Sequence, residues 1–324
     1  MPYAVVASAP GATDVLRRRN IDIPQPGTGQ VLIRQTAIGV NFIDVYFRQG
    51  LYPWPVTSDL ILGSEGAGVV EALGPNVVGF GIGQRVAYTI PNGAYATHRL
   101  VPASQLVALP DDIPDTVAAA VMLKGLTAYY LIHDSYAVKP GDTVLFHAAA
   151  GGVGLIAGQW LQARGVRAVG TAGGPEKCAL ARAHGYNDVI DYRSEDFVSR
   201  VKELTGGAGV AAVYDSVGRD TIMGSVACLA RFGTLVSFGQ SSGLPDMFRI
   251  ADLAIGSLRL TRPTLFHHTT SRDWLETASA ALFDVIRAGQ VKIQVNATWP
   301  LIEAAQAHDA LTGRATTGST ILMP

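Results

Sequence analysis

The stretch 143–165 reads TVLFHAAAGGVGLIAGQWLQARG and changes character twice along its length. Its first eight residues form a largely apolar run, which is typical of a strand buried on both faces of a parallel sheet. A Gly-rich turn follows, and beyond it apolar residues recur at helical spacing: Val153, Ile156, Ala157, Trp160 and Leu161. Gly165 is well placed to end that helix. The stretch therefore predicts a strand, a tight turn and a helix that packs on the sheet.

This alternation of strand, turn and helix continues downstream. Pro175 opens a second helix as a first-turn proline and Gly185 ends it, and further helices are predicted over 194–204 and 219–231. Five more strand-length runs lie between these helices: RAVGTA (167–172), DVIDY (188–192), VAAVYDSV (210–217), GTLVSFG (233–239) and SLRLTRP (257–263). Six strands with helical crossovers predict an α/β fold with a doubly wound parallel sheet of the kind that binds dinucleotides.

The two ends of the chain have a different texture. Residues 1–120 offer short apolar runs separated by Gly, Pro and Asn, which favours an all-β domain. Beyond the sheet, a helix capped by Ser271 and ending at Gly289 precedes a strand over 291–299. Pro300 then starts another helix, and the chain closes on a strand that we expect to return to the N-terminal domain. The predicted division is a discontinuous β-rich substrate domain, 1–122 and 267–324, and a nucleotide-binding domain, 123–266.

The composition excludes several functional classes. A net charge of −1 and a pI near 6.7 give no electrostatic signal for nucleic acid or an anionic membrane. Two cysteines rule out a disulfide framework and a four-Cys zinc site. The N-terminus lacks the features of a signal peptide, and no window approaches the roughly 20 apolar residues of a membrane span. We therefore expect a soluble, cytoplasmic protein that binds neither nucleic acid nor membrane.

The turn HAAAGGVG (147–154) carries the sharpest chemical signal. Aligned with the dinucleotide fingerprint G-x-G-x-x-G, it places Ala149, Gly151 and Gly154 at the three glycine positions. Gly151 lets the backbone approach a pyrophosphate, and Gly154 permits close contact of helix and strand. The phosphates are expected at the helix N-terminus, where free N–H groups favour an anion. Gly151, Gly152 and Val153 are the predicted contacts.

The second strand indicates which dinucleotide binds. NAD-binding sheets usually end this strand with an Asp or Glu that holds the ribose 2′-hydroxyl. Here the strand is followed by small residues, including Gly173, and then by Lys177. Tyr192 follows the third strand, beside the same pocket. Room and a cation suit a 2′-phosphate, so the sequence predicts NADPH as the cofactor.

The set of motifs resembles the medium-chain dehydrogenase/reductase superfamily and, within it, the zinc-independent NADPH:quinone oxidoreductases related to zeta-crystallin. The resemblance covers essentially the whole chain and rests on GVNFIDVYFRQGLYP, KGLTAYYLI, HAAAGGVG, VYDSVGRD, VSFGQSSG and RATTGS. It implies a chaperonin-10-like β-barrel catalytic domain joined to a Rossmann domain, with quinone reduced in the cleft between them. It also implies cofactor contacts outside the Gly-rich turn: Phe42, Asp44, Lys124, Tyr129, Ser216, Phe238, Gly239, Arg262 and Arg314.

No metal is expected on this resemblance. Zinc-using members of the superfamily hold zinc through a Cys in the segment that matches GVNFID and a His in the turn that matches LGSEGAG. Those positions are Asn41 and Ser64 here, and the neighbouring Glu65 alone cannot hold zinc, which needs three protein ligands. The seven His show no clustering with Cys, Asp or Glu at ligand spacing.

Quinone reduction suits a site without a metal, because the product anion is delocalised and aromatic. The protein then has to align the reactants and donate hydrogen bonds to the quinone oxygens. Asn41, Tyr46 and Tyr52 are donors of that kind and are the predicted catalytic residues. Asp44 has a second interpretation as a structural acceptor, and Arg48 is expected on the rim of the site.

Two other functions stay open at this point. The same fold reduces activated C=C bonds in enones or alkenals, and sequence separates the two activities poorly. An NADPH-regulated RNA-binding protein is the alternative from another class, although no basic, aromatic-interleaved stripe supports it. The strand SLRLTRP is an open sheet edge unless something covers it, so a homodimer paired along that edge is expected.

Overall fold

A computed structural model describes residues 1–313 and 318–324. The chain separates into two compact units. The β unit comprises Met1–Leu126, Phe266–Arg287 and Ile293–Pro324, and the α/β unit comprises Thr127–Leu265 and Ala288–Lys292.

The first third of the chain supplies most of the β unit. Its strands are β1 (Tyr3–Ala7), β2 (Leu16–Asn20), β3 (Gln30–Val40), β4 (Leu60–Ile61), β5 (Glu65–Leu73), β6 (Arg85–Thr89), β7 (His98–Pro102) and β8 (Leu106–Ala108). A short helix, α1 (Phe42–Arg48), follows β3, and α2 (Asp115–Tyr130) follows β8 and runs into a π-helical turn, Leu131–Ser135.

The middle of the chain forms the α/β unit. Strands β9 (Thr143–Phe146), β10 (Arg167–Ala172), β11 (Asp188–Asp191), β12 (Val210–Asp215), β13 (Leu229–Ser237) and β14 (Arg259–Thr261) alternate with helices α3 (Gly152–Ala163), α4 (Pro175–Ala183), α5 (Phe197–Leu204) and α6 (Ile222–Cys228). The sheet order is β11-β10-β9-β12-β13-β14, and every neighbouring pair is parallel. The predicted doubly wound sheet is confirmed, and the order reverses beside β9, where such folds bind their ligands.

The tail adds α7 (Leu265–His268), α8 (Arg272–Arg287), β15 (Val295–Pro300), α9 (Ala304–Thr312) and β16 (Ser319–Met323). Strand β16 pairs antiparallel with β3, with Thr320 opposite Val40, so the tail completes the main sheet of the β unit. That sheet runs β15-β16-β3-β5-β6-β8, with β7 also paired to β3. Its core includes the fully buried Tyr88 and Tyr95.

Several predicted boundaries were wrong, among them the following three. The helix predicted over 219–231 ends at Cys228, because the chain from Leu229 pairs with β12 as a strand. The helix predicted from 194 begins at Phe197, since Asp196 caps it by accepting the Ser199 N–H at 2.9 Å. The strand predicted from 291 starts at Val295.

One described helical segment, Asp115–Ser135, is long and apolar enough to cross a membrane. By that test, the expectation that no segment approaches a membrane span was wrong. Within the protein, however, 72% of its most apolar window is buried, as in the core helix of a soluble protein. Lys124 lies in the middle of this segment and has a buried carboxylate partner.

Candidate functional site

The Gly-rich turn of the α/β unit joins β9 to α3. A Cβ added at Gly154 would lie 2.5 Å from the Ala148 carbonyl oxygen and 2.6 Å from that of Ala149, so the close approach of helix and turn requires glycine there. Gly151 is the N-cap of α3, and no described side chain caps this helix. The first N–H groups of α3, at Gly152 and Val153, are therefore available to an anion.

A glycine pair after β10 forms a second feature of this unit. A Cβ at Gly173 would collide with the Tyr192 hydroxyl, and one at Gly174 would lie 3.1 Å from an Arg193 guanidinium nitrogen. Gly174 has a φ of 92°, which favours glycine. The two side chains thus lie against a flat glycine floor, and Lys177 sits in the first turn of α4. Small residues with a guanidinium beside them, followed by a lysine in the first helical turn, suit a phosphate group.

A carboxylate that was not assigned from the sequence shapes this pocket. Asp191 Oδ1 accepts the Gly174 N–H at 2.9 Å and the Arg193 N–H at 3.1 Å. These two bonds lower the pKa of Asp191, because they favour the charged form. Asp191 thereby ties the turn after β10 to the turn after β11, with one oxygen occupied by backbone donors.

The carboxyl ends of β12, β13 and β14 bring four predicted residues together. Phe238 N–H donates to the Asp215 carbonyl at 2.8 Å, and a Cβ at Gly239 would lie 2.6 Å from the Ser216 carbonyl oxygen. Arg262 donates to the Ser237 carbonyl at 3.0 Å. Ser216, Phe238, Gly239 and Arg262 therefore lie at one edge of the sheet, where ligands of doubly wound folds bind.

A buried hydrogen-bonded group around Asp215, at this edge of the sheet, was not predicted from the sequence. The signal that could have found it is an Asp at the end of an apolar strand. Asp215 accepts from the Ser225 hydroxyl at 2.7 Å, so the Ser225 oxygen accepts from His147 Nε2, 3.0 Å away. His147 Nδ1 in turn accepts from the Thr171 hydroxyl at 2.9 Å. Burial lowers the pKa of His147 and keeps it neutral in this arrangement.

Tyr129 lies near the C-terminal end of α2, in the α/β unit. Its ring stacks on that of His133, with centroids 4.2 Å apart, and the Trp160 ring lies 5.8 Å away. His133 accepts from Arg164 at 2.9 Å and faces the Tyr129 carbonyl through its other ring nitrogen. Two aromatic neighbours, one of them the hydrogen-bonded His133 imidazole, thus set the direction of the Tyr129 side chain.

In the β unit, a carboxylate that sequence reasoning had set aside holds two predicted residues. Glu65 Oε1 accepts from Asn41 Nδ2 at 2.8 Å and from Lys124 Nζ at 3.1 Å, and Oε2 accepts the Leu123 N–H at 2.6 Å. Glu65 is fully buried, and Asn41 and Lys124 are 5% and 7% exposed. A Cβ at Gly39 would collide with Glu65, so glycine at that position in β3 leaves room for the carboxylate.

Asp44 lies in a chain of hydrogen bonds beside this group. It accepts the Asn41 N–H at 2.9 Å, the Ser64 hydroxyl at 2.7 Å and the Tyr95 hydroxyl at 3.3 Å. Burial raises the pKa of Asp44 to about 7, and the nearby charge of Glu65 adds to the rise. All three contacts are internal, which matches the interpretation of Asp44 as a structural acceptor.

The chain of hydrogen bonds continues from Tyr95 to His308 and Arg48. His308 Nδ1 must accept from the Arg48 guanidinium, 3.1 Å away, so its Nε2 donates to the Tyr95 hydroxyl at 2.8 Å. Burial lowers the pKa of His308 to about 3, with the Arg48 charge acting in the same direction. Arg48, expected on a rim, is only 3% exposed, so that prediction was wrong. The neutral His308 imidazole, on α9, thus gives the Arg48 guanidinium a buried partner.

Helix α1 also presents an aromatic group next to Asn41. The Phe42 and Tyr46 ring centroids are 6.5 Å apart, and those of Tyr46 and Tyr52 are 5.7 Å apart at an edge-to-face angle of 75°. Phe42 is 46% exposed, and the two tyrosines are half-buried. Asn41, Phe42, Asp44, Tyr46, Tyr52 and Lys124 are thus neighbours within the β unit. Arg314, also predicted, lies outside the described residues.

Among residues 1–313 and 318–324, no group of three His, Cys, Asp or Glu side chains is arranged to hold a metal ion. The positions that match zinc ligands in the superfamily offer an amide at Asn41 and a hydroxyl at Ser64. Both groups already bond to carboxylates of the protein.

Two family models match the chain. A GroES-like alcohol dehydrogenase domain matches residues 27–111, and a zinc-binding dehydrogenase domain matches residues 152–281. The first match supports the predicted chaperonin-10-like domain. The second match includes strands β10 to β14 of the α/β unit.

Whole-length relatives give the same result. A quinone oxidoreductase of Pseudomonas aeruginosa is 48% identical over 100% of both chains, and a 2-haloacrylate reductase of a Burkholderia species is 43% identical over 100% of this chain and 99% of its own. The crystal structure of an Escherichia coli quinone oxidoreductase complexed with NADPH superposes with a TM-score of 0.96, at 43% identity, over 99% of this chain and 100% of that one. The chain therefore belongs to the quinone oxidoreductase family of the medium-chain dehydrogenases/reductases.

Proposed function

We propose that this protein is an NADPH-dependent quinone reductase. The choice of NADPH rests on the glycine pair Gly173–Gly174, which has the Tyr192 hydroxyl and the Arg193 guanidinium against it and Lys177 in the first turn of the helix that follows. A 2′-phosphate fits a site with small residues and cations, whereas a bare 2′-hydroxyl needs neither. The substrate half rests on full-length relatives named quinone oxidoreductases.

The cofactor-binding residues proposed in the α/β unit fall into three groups. Gly151, Gly152 and Val153 bind the pyrophosphate at the N-terminus of α3. Gly173, Lys177 and Tyr192 surround the 2′-phosphate. The remaining contacts are Tyr129, Ser216, Phe238, Gly239 and Arg262. In the β unit, Phe42 and Asp44 complete the proposed set, with Asp44 acting through the Asn41 backbone it holds, while Lys124 and Arg314 stay predictions as cofactor contacts.

Bound NADPH supplies a hydride to the substrate. The chain's own task is to hold an aromatic ring flat and to exclude water from it. Phe42, Tyr46 and Tyr52 offer ring faces and edges for that purpose. Asn41, Tyr46 and Tyr52 are the proposed substrate contacts, and the amide and hydroxyl at positions 41 and 64 favour zinc-independent chemistry.

The cofactor proposal is tested by the Lys177→Gln variant. Removal of one charged hydrogen bond, worth about 1.5–3 kcal/mol, should reduce the preference for NADPH over NADH at least tenfold, with little change towards NADH. Initial rates with a benzoquinone at varied cofactor concentration give the ratio. Lys202→Gln, on the exposed face of α5, is the matched control. Wild-type activity confined to NADH would overturn the proposal.

Reduction of activated C=C bonds is the second candidate, because a 2-haloacrylate reductase is 43% identical over the whole chain. A panel that matches quinones with enones and haloacrylates at equal NADPH concentration separates the two activities. A kcat/KM for an enone that exceeds every quinone would replace quinone reduction as the proposed function.

We also propose that the enzyme is a cytoplasmic homodimer. Strand β14 is a sheet edge, and the segment that precedes it in the chain exposes Leu244, Met247, Ile250 and Ile255, each by 62–84%. Apolar side chains beside an open edge suit burial against a second copy. Light scattering at micromolar concentration should give twice the mass of one chain. The double variant Met247→Asp/Ile250→Asp should lower the measured mass towards that of a single chain. A wild-type monomer would contradict the proposal.

A further inference from the structure

The Asn41 amide has a fixed orientation. Glu65 receives the Lys124 ammonium and the Leu123 N–H, so its carboxylate acts only as an acceptor. The atom of Asn41 that faces it at 2.8 Å must therefore be Nδ2, and Oδ1 is directed elsewhere. Asn41 thus uses one of its two Nδ2 donors on Glu65, and only its carbonyl oxygen and one neutral N–H remain for other partners.

Lys124 supplies a charged donor, which the neutral Asn41 amide cannot. Its Nζ lies 3.1 Å from Glu65 Oε1 and 3.5 Å from the Val40 carbonyl oxygen, and the second distance is at the limit of a hydrogen bond. An ammonium has three N–H donors, so these two contacts with described residues leave at least one. Lys124 and Asn41 share one oxygen of Glu65, which places this ammonium beside the segment that carries the proposed substrate contacts.

We propose that Lys124 donates a hydrogen bond to the substrate's carbonyl oxygen as negative charge develops on it, and that Glu65 is the positioning residue that fixes Lys124 and Asn41. This inference rests on the proposed reductase function. It assigns Lys124 to the substrate, in place of the cofactor contact that the sequence predicted. A cation in a site with little water stabilises a developing oxyanion strongly, because it is already oriented.

The reaction balances without a metal or another reactant. The substrate gains the hydride with both electrons of the broken C–H bond, and its negative charge comes to rest on the carbonyl oxygen. Lys124 donates a hydrogen bond to that oxygen and keeps its proton. A proton from water then completes the hydroquinone, or the enol of an enone substrate, and NADP⁺ leaves as the oxidised product.

The role of Lys124 should depend on the substrate. The anion of a reduced quinone spreads its charge over an aromatic ring, whereas the enolate of a reduced enone concentrates more charge on oxygen. Loss of the Lys124 donor should therefore slow enone reduction more than quinone reduction. A residue that binds only the cofactor would affect both substrates equally.

The first test compares Lys124→Met with Lys124→Arg. We expect Lys124→Met to lower kcat about 10²-fold with an enone and several-fold less with a benzoquinone, while the dissociation constant of NADPH, measured by fluorescence without substrate, stays within about twofold. Lys124→Arg should recover part of the loss. Arg287→Gln, which breaks an exposed ion pair with Asp112 in the same unit, is the control.

A second test concerns Glu65 and does not depend on turnover. The chain has five lysines, so ¹³Cε-lysine NMR resolves each one during a pH titration of the cofactor-free protein. In Glu65→Gln, the buried ammonium loses its counter-charge, and Lys124 should lose its proton at a clearly lower pH than in the wild type. The kcat of this variant should fall at alkaline pH with the same midpoint.

The outcomes separate the possible failures. No oxidation of NADPH by wild-type protein with any quinone or enone contradicts the proposed function itself. Normal wild-type activity with a raised NADPH dissociation constant and unchanged kcat in Lys124→Met overturns only the inference. Should Glu65→Gln fail to fold, a nitrophenolate added to the wild-type NADP⁺ complex is the substitute probe of the anion. It should shift the Lys124 resonance, and an unshifted resonance counts against the proposal.

Discussion

Asp44 in the β unit and Asp215 in the α/β unit are both fully buried, yet their surroundings differ in kind. Asp215 accepts from the Val217 and Gly218 N–H groups and from the hydroxyls of Thr221 and Ser225, at 2.7–3.0 Å. All four groups that donate to Asp215 are neutral, and two of them are backbone N–H groups. Asp44 shares its surroundings with Glu65, Lys124 and, through Tyr95 and His308, Arg48. One carboxylate fixes a loop, and the other belongs to a charged cluster that titrates.

The largest expected effect is at Asp215. Asp215→Ala leaves two buried N–H groups and two hydroxyls without their acceptor, and each such loss costs about 1–3 kcal/mol. We expect the free energy of unfolding to fall by about 4 kcal/mol in urea denaturation followed by circular dichroism, since some of these donors will find other acceptors.

The matched control lies in the same sheet. Asp188→Ala removes a carboxylate that pairs with Arg167 at 2.8 Å on the surface, and such pairs contribute at most about 1 kcal/mol. Equal losses for the two variants would contradict the fixed-loop interpretation of Asp215. The four donors to Asp215 would then add nothing measurable to stability beyond what a surface ion pair contributes.

Two opposite pH dependences are expected within the charged cluster. Asp44 has a folded-state pKa of about 7, above its ordinary 3.8, so its contribution to stability falls as pH rises through that interval. His308 has a pKa of about 3, below its ordinary 6.5, so its contribution is lost as pH falls from 6.5 towards 3. The two slopes, each about 1.4 kcal/mol per pH unit, oppose one another between about pH 4 and 6.5.

Single variants should expose each slope. Relative to the wild type, His308→Gln should lose stability as pH rises from about 4 to 6.5, because only the Asp44 slope remains. Asp44→Asn should gain relative stability over the same interval. Urea denaturation at half-unit pH steps gives both differences. Parallel curves for the variants and the wild type would show that these two groups do not titrate as their burial requires.

The fold could be predicted because its signals are local. The run at 143–150, the glycines at 151 and 154 and the proline at 175 each act on the backbone near their own position. The structure confirms a strand, a turn and helices there, although the strand ends at Phe146 and not at 150. The end of α6 was misplaced because Leu229 has a partner in β12, a distant strand, and no local residue records that pairing.

The candidate site was only partly predictable for the same reason. Asn41 and Lys124 were named from motifs, but their common partner Glu65 lies 24 and 59 positions away and was discounted once it could not hold zinc. Arg48 was predicted on the rim of the site, whereas His308, 260 positions later, provides its buried partner. Contacts between residues so far apart in sequence depend on how the strands and helices pack, which local sequence patterns do not record.

The smallest expected effect sharpens the comparison most. Ser225→Ala removes one neutral donor from Asp215 and the acceptor of His147, and it should lower the free energy of unfolding by about 1 kcal/mol. That loss should be constant from about pH 4 to 6.5, because burial keeps His147 neutral with or without the Ser225 hydroxyl. A loss that varies with pH by more than about 0.5 kcal/mol would show that His147 takes up a proton once its partner is gone. The α/β group would then titrate as the β cluster does, and the difference between the two buried carboxylates would be one of degree.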